Sequence, residues 1–176
     1  MKLTKEALLK IEPKAARVDE YLPFLNAAMS EFHIINFDRI TAFLAQILHE
    51  SGKFQYMREL WGPTEQQKKY EGRKALGNIE PGDGLRFKGR GAIQLTGRSN
   101  YQQYGNLLGI DLINNPQLAE NKEHCFRIAA CFWDKHGLNQ LADKGEFEMI
   151  TRIINGGLNG QAERLDYYQK ARKYLV

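Results

Sequence analysis

Glu50, Glu59 and Glu71 are the residues whose type and spacing first suggest chemistry. Glu50 follows the apolar run Phe43-Leu44-Ala45-Gln46-Ile47-Leu48. A carboxyl set against an apolar wall resists ionisation and stays available as a general acid. Acid-assisted cleavage of a glycosidic bond needs a second carboxylate to activate water, and in the inverting reaction the two groups lie about 6.5 to 9.5 Å apart. On one continuous helix Glu59 would stand about 13.5 Å beyond Glu50 along the axis. The chain must therefore turn between them. Ser51-Gly52 supplies the break, and Phe54-Gln55-Tyr56-Met57 brings Glu59 back across a cleft from Glu50. Glu71, in Tyr70-Glu71-Gly72-Arg73, is a rival for the same role, and spacing alone leaves both open.

The elements that must position these groups read as helices. Residues 14–30 place Ala16, Val18, Tyr21, Leu22, Leu25, Ala28 and Met29 at spacings near three and four, which predicts one buried helical stripe. Phe37, Ile40, Phe43, Leu44, Ile47 and Leu48 repeat the pattern over 37–49, with Asn36 as N-cap and Gly52 as stop. Further helical patterns run over about 97–108, 121–136, 146–154 and 160–174. Between them, residues 51–91 carry glycine at ten-odd-residue intervals or closer and read as loops with short turns, a length that in a compact domain signals a functional surface. No alternating strand pattern and no repeat stands out. The fold class is mainly α, with two helical lobes joined through the irregular Gly-rich region, and 176 residues with 43% hydrophobic content suit a single domain over 1–176.

Several chemistries are excluded by spacing. His49-Glu50-Ser51-Gly52-Lys53 begins like a zinc-protease helix but has Lys53 where the second histidine must stand. Gly84, Gly89 and Gly91 do not make a dinucleotide fingerprint, and Gly62 to Gly72 lacks the Lys-Ser/Thr ending of a phosphate loop. No metal and no cofactor is expected. The formal net charge of +4 is a mild bias toward anionic surroundings, equally served by a bacterial wall, nucleic acid or membrane surface. Cys125 and Cys131 are six apart, roughly 120° around a helix, so they should not pair. No stretch approaches the length of a membrane span, and the start of the chain lacks a signal-peptide apolar run. Synthesis in the cytoplasm is the expectation.

Three segments carry a resemblance. Ala42 to Gly52 (AFLAQILHESG), Arg86 to Gly97 (RFKGRGAIQLTG) and Ile153 to Gly160 (IINGGLNG), in that order, resemble the signatures of glycoside hydrolase family 19, which holds chitinases and bacteriophage endolysins. Weaker similarity continues through Arg164-Leu165-Asp166-Tyr167-Tyr168. The Tyr70 to Arg73 and Leu76-Gly77-Asn78 stretches look most like the short phage and prophage endolysins. The resemblance implies a lysozyme-like two-lobed fold with the Gly-rich region lining the cleft, and no separate wall-binding domain. It implies Glu50 as general acid, Glu59 as general base, and Thr96 as the hydroxyl that helps hold the attacking water. Gln94, Asn100 and Asn155 match positions whose amides bind the N-acetyl sugar, and Arg164 matches an arginine near the base. Tyr101 is expected among the sugar-binding residues. The chain departs from many relatives at Lys53, where they carry a second glycine.

On this reading the protein hydrolyses β-1,4 bonds of peptidoglycan with inversion, without cofactor or metal, as a monomeric lysis enzyme released to the wall through a holin-type membrane lesion. Peptidoglycan strands are the expected partner; nucleic acid binding and stable membrane insertion are not expected. Two rivals share the chemistry, a chitinase and an exported antibacterial effector. A third, an inactive wall-binding protein, is disfavoured by Glu50, Glu59 and Thr96 occurring together. His49 is expected to be a hydrogen-bonded structural residue, since two carboxylates suffice for the proton transfers.

Overall fold

The computed structural model describes residues 1–175. Its ten α-helices are α1 (Lys5–Ile11), α2 (Val18–Glu31), α3 (Phe37–Glu50), α4 (Glu65–Lys68), α5 (Asp83–Arg86), α6 (Arg98–Leu108), α7 (Cys125–Lys135), α8 (Leu138–Asp143), α9 (Phe147–Asn155) and α10 (Gln161–Tyr174). Two 3-10 turns lie at Lys74–Leu76 and Pro116–Glu120. Extended pairing among the described residues is confined to two isolated bridges, Arg58 with Arg90 and Arg90 with Leu95. The mainly helical expectation holds.

Helix α3 is the axis of the fold. Asn36 caps it by accepting the Arg39 amide at 2.9 Å, and every residue from Ile40 to Leu48 is buried. A helix buried on every face must be largely apolar, and each fully buried Leu, Ile or Phe contributes roughly 1.5–3 kcal/mol, while the buried Gln46 is satisfied by Thr151 and Arg164. Helices α8 and α10 pack against α3, and Gln46 reaches Thr151 of α9 by a hydrogen bond. Its Phe43 meets Trp133 of α7 edge to face at 5.2 Å. A second, smaller core gathers Phe87, Leu95, Tyr101, Tyr104 and Leu108 around α6. Helix α7 serves both: Phe126, Ala129 and Trp133 enter the large core, while Ile128 and Cys131 enter the small one. The two lobes thus share a helix with two buried faces. The irregular segment folds onto itself beside the small core, through bonds such as Glu59 N–H to Gly89 O at 2.8 Å and Gly91 N–H to Met57 O at 2.8 Å.

The helix expected over 14–30 begins only at Val18, because Arg17 takes a left-handed conformation, φ 52°, that breaks the helix. The separate helix α1, capped by Thr4, escaped the periodicity reading because it presents only Leu8 and Ile11 to the core. Helix α8 was likewise unforeseen, its six residues being too short to show a period. Cys125 and Cys131 are both buried and unpaired, as their spacing predicts.

Candidate active site

Glu50 is the last residue of α3. The helix stops because Ser51 turns inward: its hydroxyl donates to Ile47 O at 2.6 Å and accepts the Phe54 amide at 2.9 Å. Gly52, Lys53 and Phe54 then all hold φ between 54° and 66°. Three consecutive left-handed residues reverse the chain, and Lys53 pays the Cβ strain that a glycine would avoid. Phe54 anchors the reversal by packing edge to face on Tyr21 and Phe126.

The carboxyl of Glu50 does not meet the apolar wall expected of it. It meets the guanidinium of Arg164, whose side chain is 1% exposed against 17% for Glu50. Arg164 Nη2 donates to Glu50 Oε1, Nη1 to Gln46 Oε1 at 2.5 Å, and Nε to Asn159 O at 3.2 Å. Gln46 in turn donates to Thr151 at 2.9 Å. The expectation that Arg164 stands near the second carboxylate is therefore corrected: it belongs to Glu50, because α10 packs along α3 and not along the irregular segment. His49 is hydrogen-bonded as expected, its Nδ1 lying 2.5 Å from Glu163 Oε2. The ring sits so close to Gly160 that a Cβ there would lie 2.4 Å from Nε2.

Glu59 is held by an entirely different set of contacts. Oε1 accepts from Gln67 Nε2 at 3.0 Å and from the Tyr70 hydroxyl at 3.4 Å, and Oε2 accepts from the Gly89 amide at 3.1 Å. Gln67 is fixed by a capping box with Thr64, a Thr-x-x-Gln pattern that sequence inspection can find and that was missed. Burial first, and the Glu59 charge second, hold the Tyr70 phenol above its ordinary range. The rival Glu71 spends both oxygens on loop amides, from Gly82 at 2.6 Å and Gly84 at 2.9 Å. It stitches a turn.

The structure brings Glu59, Thr96 and Gln94 together over Gly89. A Cβ at Gly89 would lie 2.8 Å from Gln94 Oε1 and 3.3 Å from both Glu59 Oε2 and Thr96 Oγ1. Any side chain there would push into all three. Gln94 adopts φ 55° and donates to Gly91 O at 3.0 Å and Tyr56 O at 3.2 Å, which leaves its Oε1 toward Gly89. Thr96 Oγ1 donates to Gln94 O at 2.9 Å, so its lone pairs remain to accept. Asn100 donates to Thr96 O at 2.8 Å. A cavity of about 270 Å³ is lined by Leu76, Gln94, Thr96, Asn100, His136 and Ile154 among others, so it runs from the irregular segment to the end of α9. Asn155 ends α9, and its Oδ1 is buried without a hydrogen-bond partner among the described residues. Gln161 Oε1, across the connecting loop, is in the same condition and was not foreseen. Buried acceptors left without a partner are rare.

Tyr101 is misassigned by the sequence reading. It is fully buried, donates to Lys88 O at 2.7 Å and accepts from Arg90 at 2.9 Å. Burial pushes its phenol up to about 12. It holds the Lys88–Arg90 backbone from behind and, fully buried, offers nothing to a sugar. Among the other aromatics of the region, Phe87 and Tyr104 are core, whereas Tyr56 is exposed and Trp61 and Tyr70 are half-buried.

A family model described as chitinase class I, of glycosyl hydrolase family 19, matches residues 24–142. A Haemophilus influenzae protein described as a glycosyl hydrolase family 19 domain-containing protein is 31% identical over 96% of this chain and 95% of its own length. An endochitinase of Arabidopsis thaliana is 35% identical over 73% of this chain, which spans 45% of that plant protein. Among solved structures, chitinase C of Streptomyces griseus superposes with a TM-score of 0.78 at 23% identity, covering 98% of this chain and 91% of that one. A bacterial family 19 chitinase gives 0.79 at 24%, covering 98% and 94%. At those identities the superpositions speak for the fold, while the family model and the full-length Haemophilus match speak for descent: the chain belongs to glycoside hydrolase family 19 and is a glycoside hydrolase of lysozyme-like helical fold.

Proposed function

We propose that the protein hydrolyses β-1,4 bonds of bacterial peptidoglycan by a single displacement with inversion, as a lysis enzyme. The observation that carries the chemistry is the pair of differently held carboxylates, Glu50 gripped by Arg164 and Glu59 open toward Thr96 and Gln94. With Arg164 donating to Oε1, the other oxygen of Glu50 carries the proton delivered to the leaving glycosidic oxygen as the C–O bond breaks. Glu59 takes a proton from water, whose oxygen forms the new bond on the opposite face of the ring. Thr96 or Gln94 accepts the water's second hydrogen and so orients it. The amides of Asn100 and Asn155 serve the N-acetyl group, each offering a donor and an acceptor. No step requires a metal or a cofactor. The absence of any long apolar helix among the described residues fits a role in which another protein opens the membrane.

Chitin is a second reading, favoured by the chitinase names of several relatives and structural neighbours. Side-by-side digestion of purified sacculi and chitin oligomers decides between them. Release of soluble muropeptides with a new reducing end, faster than chitin cleavage, is expected; rapid chitin cleavage with intact sacculi would overturn the peptidoglycan assignment.

A further inference from the structure

The net positive charge of this chain arises in the segment that carries Glu59. Residues 51–98 hold ten Lys and Arg against five Asp and Glu, a net of +5, while the rest of the chain, with fifteen against sixteen, is net −1. Five of the ten cations are in ion pairs: Lys53 with Glu12, Arg58 and Arg90 with Glu120, Lys68 with Glu65, and Arg98 with Asp83. Arg86 donates to Ile113 O. Lys69, Arg73 and Lys74 are exposed, follow one another on two turns, and pair with no carboxylate among the described residues. The acidic neighbours are committed elsewhere, Glu65 to Lys68 and Glu71 to the amides of Gly82 and Gly84.

This cluster begins one side chain away from the proposed base. Tyr70, between Lys69 and Arg73, puts its hydroxyl 3.4 Å from Glu59 and its ring 6.2 Å from Trp61. The Arg73 charge is near enough to act on the Tyr70 phenol. Gln66, Lys69 and Arg73 line a surface concavity of about 460 Å³. A neutral glycan offers three unpaired cations no opposite charge, whereas a strand bearing acid-terminated peptide substituents offers carboxylates along its length.

We propose that Lys69, Arg73 and Lys74 form a subsite for the substrate's own carboxylates, and that it biases the enzyme toward an anionic, peptide-bearing glycan. The proposal rests on the peptidoglycan reading above. It is a rim contact, so it should act on binding and KM, weaken with salt, and leave turnover of neutral oligomers alone.

The test uses the turnover-silenced Glu50→Gln protein with and without Lys69→Gln, Arg73→Gln and Lys74→Gln together. Each is pelleted with sacculi stripped of teichoic acid, with the same sacculi after amidation of their carboxylates, and with colloidal chitin. The triple change is expected to weaken binding to untreated sacculi about tenfold at low salt, and to change binding to amidated sacculi or chitin by less than about twofold. An equal loss on chitin, no loss on untreated sacculi, or an unreduced loss after amidation would each overturn it. Cleavage of sacculi by the unmodified enzyme is measured alongside. If that cleavage occurs while the triple change is without effect, the subsite fails alone; if sacculi stay intact, the peptidoglycan reading falls and takes the subsite with it.

Discussion

Two carboxylates that are nine residues apart in the chain are held in two different ways. Glu50 stands at the end of a helix buried on all sides and is gripped by a fully buried arginine from α10, so its position is fixed by the packing of the large core. Glu59 stands in a segment with little core of its own, held by an amide, a glutamine and a tyrosine that are in turn held by caps and loop bonds. The place of Glu50 is a property of helix packing, and that of Glu59 a property of local polar geometry. The first should answer to changes in the global fold, the second to single atoms nearby.

The largest test of the pairing is Glu50→Gln beside Glu59→Gln. Each is expected to lower kcat about 100- to 10,000-fold with the fold intact, measured as reducing ends released and by circular dichroism. Full activity in either would dissolve the two-carboxylate comparison. Arg164→Ala should next separate the regions. It leaves Glu50 and Gln46 without their shared donor and should cost about 3–5 kcal/mol of global stability, read in a denaturant melt. A variant that loses activity with no loss of stability would mean that Arg164 acts on substrate and not through packing.

Gly89→Ala is the converse change. Its Cβ displaces Glu59, Thr96 or Gln94 and should lower kcat about 10- to 100-fold, with the melting temperature little altered. An unchanged kcat would show that the three oxygens do not act together. The smallest effect is pH-dependent. Arg98 beside Asp83 holds that buried carboxyl below the usual range, against the opposing effect of burial. A depressed carboxyl contributes stability that is present above the ordinary value near 3.9 and is lost as pH falls through the lowered one. Asp83 also accepts the amides of Ile79 and Glu80, so acid should open the irregular segment first. Pepsin digestion at falling pH is expected to cut within 71–98 before it touches α3, and Asp83→Asn should show that cutting without the pH dependence. On the helical lobe, Asp143 is held at about 2 by Arg39 and Asn36 at the surface, where solvent screening reduces its contribution.

The legible part of the site followed physical lines. Asn36 and the apolar periodicity over 37–49 give α3 and bring Glu50 to its end, because capping and burial are local and periodic signals. The contacts of Glu59 and Glu71 and the partner of Arg164 were not legible. Both depend on which backbone amides and which helix come near in space. Tyr101 was misread because an aromatic next to a binding motif looks the same in sequence whether its ring faces the cleft or the core.

The sequence by itself determined that the protein is helical, that α3 ends at Glu50, and that three family 19 motifs lie in order along the chain. Periodicity, capping and motif spacing are written within a few residues of each other. Only the tertiary structure decided that Arg164 grips Glu50, that Tyr101 is core, and that Glu59, Thr96 and Gln94 meet over Gly89. Those contacts join residues up to 114 positions apart, and the packing of whole elements, not any local preference, sets them.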